Sequence, residues 1–200
     1  MSQIAHRGMI KLIFKKKESF ICLFLGFTFL GSGMAKLYAE HAYLGWIGPT
    51  WLEEELRPHS LGLYARFVAY SQVVIGYLLF TYRYRVVGAV MAVPLIGNIL
   101  MVTISLQWQG TPYVLAILFL MNAYILFKNR NVLKPLIGLS GIIARKLNGK
   151  NSLIWLTGLV LNLLSIHLSQ ISIQVAWGVS LLGLFISFWA NHREKRIESQ

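Results

Sequence analysis

The chain has 200 residues, of which 56% are hydrophobic and 13% charged, with mean hydropathy +0.59. Soluble domains carry about 25% charged residues, so this composition excludes a water-soluble fold that hides its apolar surface and points to a lipid-embedded chain. The net charge of +12 does not indicate nucleic acid, because the Lys and Arg residues sit in short clusters between apolar runs, with no basic stripe interleaved with aromatics.

Residues 1–18 form a basic segment with Arg7, Lys11, Lys15, Lys16 and Lys17. The first apolar run covers residues 20–38, close to the twenty or so residues that a helical span needs. It holds the one cysteine, Cys22, which has no intramolecular disulfide partner and no CxxC mate. Basic segment, apolar run and Gly31-Ser32-Gly33 follow the order of a signal peptide, but the run continues past Gly33, so a retained span is expected. Lys36 ends it, one turn after Ser32 and Gly33.

Residues 38–60 make the longest connection opposite the basic segment. Trp46 and Trp51 suit an aromatic belt at the interface. Pro49 followed by residues 50–56 predicts a short helix on the membrane surface. His41, His59 and the Glu residues of this connection lack HxxxH or HxxE spacing, so a solvated polar loop is expected rather than a metal site.

The second run covers residues 61–82. Ala65, Ala69, Gln72 and Gly76 share one face, a stripe of small and polar residues that lets helices approach in lipid. Arg66 stands in its first turns, one turn before Tyr70. Two readings are open for Lys36 and Arg66: both reach to the headgroups, or both hold an anionic or quinone-like ligand, since charge at membrane depth is costly enough to suggest function.

A turn with Arg83 and Arg85 leads to the third run, residues 86–106. Pro94 removes one backbone bond and crowds the carbonyl of Val90, predicting a kink. Nearby Asn98 either satisfies freed backbone groups or faces a cavity. The fourth run covers residues 112–127, with Thr111 and Pro112 read as cap and first helical residue. Asn122 is its one strongly polar candidate for burial. The basic connection that follows contains an apolar stretch, residues 136–144, expected to lie in the membrane surface as an amphipathic helix.

The fifth and sixth runs, residues 153–168 and 171–190, make a hairpin closed by Ser169 and Gln170. Gly158, Asn162, Ser165 and Ser169 form one stripe, and Ala176, Ser180, Gly183 and Ser187 another. All 19 basic residues except Lys36, Arg57 and Arg66 fall on one side of this six-span arrangement. The positive-inside rule then places both termini in the cytoplasm. The expectation is an all-α, six-span bundle in the bacterial cytoplasmic (inner) membrane: a basic segment at 1–18, a four-helix core at 19–130, a loop at 131–151, a hairpin at 152–190 and a tail at 191–200.

The core resembles the DoxX/DoxD-like family of small four-helix membrane proteins. Residues Phe29-Leu30-Gly31-Ser32-Gly33-Met34-Ala35-Lys36 are similar to the family's first-helix ending of small residues and Gly-x-x-Lys. Gln72-Val73-Val74-Ile75-Gly76-Tyr77-Leu78-Leu79 is similar to its E-x-x-x-G-x-L-L pattern, and the basic turn before Gly88-Ala89 follows in the same order. Gln72 stands where the family pattern usually has Glu, which removes a titratable carboxylate. The hairpin lies outside the family's core. The family shares its shape with vitamin-K epoxide reductase-like bundles, whose paired cysteines are absent here.

The resemblance implies quinone-linked oxidation, as in the DoxD subunit of thiosulfate:quinone oxidoreductase, or a role in redox and thiol stress. The residues themselves offer no catalytic constellation. The leading expectation is therefore an accessory or lipophilic-ligand-binding subunit, with Lys36, Arg66, Tyr70, Gln72, Asn98 and Asn122 as candidate ligand-binding residues. Alternatives are a quinone-linked oxidoreductase subunit, with its electrons supplied by a partner protein, and a small transporter whose site would form around Asn98. No resident cofactor is evident, though quinone fits the second reading. Beyond the lipid bilayer, candidate partners are a membrane or redox protein and a second copy of the chain.

Overall fold

The computed structural model describes residues 2–43, 50–138, 140 and 149–198. Among them there are eight α-helices and no strand: α1 (Ser2–Leu37), α2 (Leu52–Leu56), α3 (Gly62–Phe80), α4 (Arg85–Ser105), α5 (Thr111–Lys128), α6 (Arg130–Leu133), α7 (Gly149–Leu168) and α8 (Ile173–Glu198). Six of them, all but α2 and α6, are long and apolar enough to cross a membrane. Their outward surface carries large apolar side chains such as Leu63, Phe67, Phe127, Leu153 and Phe185, a distribution that water would not tolerate and lipid requires. The chain is a multi-pass helical membrane protein.

Some boundaries differ from those expected. The helix of the first span runs back through the basic segment to Ser2. Thr111 is not the cap of α5: that place belongs to Gly110, whose φ of 86° suits a residue without Cβ, and Thr111 is already helical. The surface helix expected after Pro49 is the short α2, which seats Leu52 and Leu56 in the core. Trp46 and Pro49 lie outside the described residues. So do residues 139 and 141–144 of the expected amphipathic stretch, whose first two residues belong to a 3-10 turn at Lys134–Ile137.

The six spans alternate in direction, so residues 18, 85, 129 and 194 gather at one end. This basic end is held by ion pairs. Glu18 pairs with Arg85 at 3.4 Å and accepts from Asn129 at 2.8 Å. Arg83 pairs with the buried Glu194 and donates to Ser152 at 3.0 Å.

Helices α1 and α3 form the middle of the bundle. Their backbones nearly touch: a Cβ on Gly76 would lie 2.7 Å from the Leu30 Cα, and one on Gly33 2.7 Å from the Ala69 carbonyl. Only glycine permits this approach, and in lipid such contact, rather than hydrophobicity, holds helices together. Two apolar clusters flank the pair. One joins Cys22, Leu25 and Phe29 to Ile96, Leu118 and Ile125 on the α4–α5 side. The other joins Leu30, Met34 and Tyr77 to Trp155, Ile166 and Ala176 on the α7–α8 side.

The α7–α8 hairpin is bonded to that middle pair by a buried polar seam. Tyr77 Oη lies 2.6 Å from Ser187 Oγ and 3.0 Å from the Gly183 carbonyl. Trp155 Nε1 donates to Thr81 Oγ1 at 3.0 Å, and Tyr38 Oη donates to Ser165 Oγ at 2.7 Å. Asn162 Nδ2 donates to the Ser180 carbonyl at 2.9 Å, between α7 and α8 themselves. Every residue of the three stripes read from the sequence is buried.

Candidate functional site

At the end opposite the Glu18–Arg85 and Arg83–Glu194 pairs, residues of α1, α2, α3 and α7 line a cleft of about 510 Å³. Its walls include Lys36, Arg66 and Tyr70 together with His41, Glu53 and His167. Three of the six candidate residues are thus brought to one place. A fourth, Gln72, is buried just behind.

Lys36 is the centre of this arrangement. Its Nζ donates to Ser32 Oγ at 2.6 Å, to the Ser32 carbonyl at 3.2 Å and to Gln72 Oε1 at 3.2 Å. All three acceptors are neutral, and among the described residues Lys36 enters no ion pair. The i, i+4 spacing of Ser32 and Lys36 sets the first two bonds, because side chains four apart share a helix face. The close α1–α3 contact brings Gln72 to the same point.

Arg66 is differently placed. Its side chain is 59% exposed and grips Glu53 of α2 with three hydrogen bonds of 2.8 to 3.1 Å. Arg57 joins the same carboxylate at 3.2 Å. The Arg66 bond, with help from Arg57, holds the Glu53 carboxyl below its ordinary range. Two arginines are therefore committed to one acid at the rim, while the Lys36 charge at the base is balanced by no carboxylate in contact with it. The other rim acids, Glu40 and Glu54, are exposed, where water and salt screen them.

The rim carries backbone strain. Glu40 and His41 adopt φ of 52° and 56°, a left-handed conformation that costs of order 1 kcal/mol or more per non-glycine residue. Neighbouring bonds hold it in place: His41 Nδ1 meets the Ala35 carbonyl at 2.8 Å, and the Ala39 amide donates to Ser169 Oγ at 3.1 Å. Tyr43 packs between Tyr38 and Trp177, and burial pushes its hydroxyl above the ordinary range.

Asn98 and Asn122 do not join the cleft. Asn122 is fully buried and donates to the Ala89 carbonyl at 2.9 Å, tying α5 to α4. Asn98 is exposed on α4 and satisfies no backbone group among the described residues. Glu53, His41 and His167 are among the cleft residues that sequence reasoning did not assign to a ligand site. The one available signal for Glu53 was the pair Leu52 and Leu56, whose i, i+4 spacing seats α2 and leaves Glu53 on its flank. Among the described residues no three His, Cys, Asp or Glu side chains gather into a metal-ligand group.

The cleft offers the Lys36 ammonium and the Tyr70 side chain as polar groups on its wall. No protein-family model, curated protein or solved structure matches this chain.

Proposed function

We propose that this chain is an accessory, ligand-holding membrane subunit of the DoxX-like kind, set in a bacterial cytoplasmic membrane with both termini in the cytoplasm. Its cleft, on the outer face, takes the head of a lipophilic molecule bearing a negatively charged or electron-rich oxygen. The observation that carries this reading is the Lys36 ammonium, held in the cleft by neutral acceptors only. A cation so placed, away from bulk water, attracts an anionic or carbonyl oxygen far more strongly than a surface lysine does.

Lys36 and Gln72 are also the two positions on which the family resemblance turns, and they touch. A glutamate at position 72 would neutralise the lysine; glutamine leaves its charge available to a ligand. The strained Glu40–His41 turn at the rim supports a site, since such strain is concentrated at ligand-binding positions.

Tyr70 in the same cleft favours a second reading, a membrane subunit of a quinone-linked oxidoreductase. There Lys36 and Tyr70 would hold the two oxygens of a quinone ring and stabilise its reduced, anionic form. Electrons would come from a partner redox protein.

Native mass spectrometry of the full chain, extracted in mild detergent, tests the first reading, and titration with a soluble ubiquinone analogue tests both. The expected results are a co-purifying lipophilic molecule and analogue binding that weakens about tenfold or more in Lys36→Met, the worth of one charge-assisted bond. Gln72→Glu weakens it similarly by pairing with Lys36. An empty wild-type protein overturns the proposal, as does analogue affinity unchanged in both variants.

A further inference from the structure

Helix α4 presents to the lipid a face that a purely lipid-facing helix would not have. Val87, Met91, Pro94, Asn98, Met101 and Ser105 recur along it at helical spacing, and all are exposed. Asn98 lies seven residues from the end of α4 at Ser105, about 10 Å below that end at 1.5 Å per residue, well inside the hydrocarbon. Its amide has no hydrogen-bond partner among the described residues. Pro94 stands on the same face and has no amide hydrogen, so the Val90 carbonyl one turn earlier receives no helical bond from it. Beside Asn98, a Cβ on Gly97 would meet no atom within 4 Å. The exposed surface is present, and the Asn98 carboxamide brings both a donor and an acceptor that no described residue engages.

An unpaired amide in hydrocarbon is costly, and polar side chains at such positions bond across helix interfaces. We infer that the α4 face is the contact surface for a second copy of this chain, with Asn98 of each copy bonded to its counterpart across a two-fold axis normal to the membrane. The argument for a second copy rather than another protein is one of depth and chemistry. Two copies with the same topology place Asn98 at the same depth without adjustment. A carboxamide is also self-complementary, donating through Nδ2 and accepting through Oδ1. The two-fold arrangement satisfies both groups at once. Gly97 lets the backbones approach, and the flexible side chains of Met91 and Met101 fill the remaining gaps.

The dimer leaves the cleft free, because Lys36 and Tyr70 lie on α1 and α3, so it does not depend on the proposed ligand. It also gives Asn98 and Gly97 a role that the interior of the bundle does not.

The test uses the full chain in lipid vesicles, with subunits counted by single-molecule photobleaching across a range of protein-to-lipid ratios. The expected result is a monomer–dimer equilibrium whose dissociation constant rises about tenfold in Asn98→Leu and is partly restored in Asn98→Gln. Since Asn98 bonds nothing in its own bundle, the folded monomer survives the substitution, and unchanged helical circular dichroism verifies this. In a Cys22→Ala background, Met101→Cys forms a disulfide-linked dimer on oxidation, whereas Leu153→Cys on α7 does not. A wild-type chain that stays monomeric at every ratio overturns the inference. So does a dimer that Asn98→Leu leaves unaltered, or one that cross-links through α7 instead of α4.

Discussion

The two flanks of the α1–α3 pair are held by different means. On the α4–α5 flank the contact is almost wholly apolar, and one buried amide, Asn122, ties the two outer helices to each other. On the α7–α8 flank Tyr77, Ser187, Trp155 and Thr81 form one hydrogen-bonded group and Tyr38 and Ser165 another, together making a polar seam around the apolar contact. In lipid an apolar contact gains little from burial, because the alternative is lipid tail of equal polarity. Apart from the Glu18 contacts with Arg85 and Asn129 at the basic end, the first flank depends on shape and is free to present α4 to another surface. The second is fixed in one register, since each hydroxyl or amide must find its own partner or remain unsatisfied.

This contrast can be broken most severely at the glycines. A Cβ on Gly183 would lie 2.6 Å from the Gly158 carbonyl, backbone that cannot yield. Gly183→Val is expected to cost about 3 kcal/mol, at the upper end of overpacking effects, as seen in reversible unfolding in mixed micelles. Gly97→Ala on the opposite flank should change monomer stability by less than about 0.5 kcal/mol, as for surface substitutions without a partner.

The seam gives the next largest effect. Tyr77→Phe removes the hydroxyl that meets Ser187 and Gly183, and the expected loss is about 1 kcal/mol in the same assay. Asn122→Leu on the apolar flank should cost less, because its Oδ1 already lacks a partner and an apolar replacement leaves no new polar atom buried. Equal losses at the two positions would remove the distinction between the flanks.

The smallest effect is at the rim. The Glu53 carboxyl is depressed in the folded chain by its bond to Arg66. Its contribution is therefore complete above the unfolded value of about 4.3 and is lost as pH falls through the lower folded value. Between pH 5 and 8 the α2–α3 clasp should not respond. Below the ordinary carboxylate range it should open, read as a shift in the fluorescence of Trp51, which precedes α2 and whose ring centre lies 6.4 Å from that of Trp108. Glu53→Gln should abolish that transition.

The six spans and the segregation of the cations were legible in the sequence, because both follow from composition over windows of about twenty residues. The stripes on α3, α7 and α8 were legible as packing faces, but not what each of them meets. Ser187 serves Tyr77, 110 positions away, yet its spacing reads equally well as contact within the hairpin. The cleft was legible as far as Lys36, Arg66, Tyr70 and Gln72. The commitment of Arg66 to Glu53 was not, since a guanidinium in the first turns of a span looks the same whether it enters the bundle or turns to an acid on the preceding helix. The outward direction of Asn98 was hidden for another reason: α4 is apolar on all sides, so no periodicity separates its lipid face from its packed face.

The polar seam also orders events during synthesis. The chain is made from its N-terminus, so α1, α3, α4 and α5 enter the bilayer before the hairpin exists. Through that interval Tyr38, Tyr77 and Thr81 face lipid without the hairpin groups they will bond, and Arg83 waits for Glu194, close to the last described residue of the chain. The early half is thus an unfinished surface, whose polar groups find these partners only when α7 and α8 arrive.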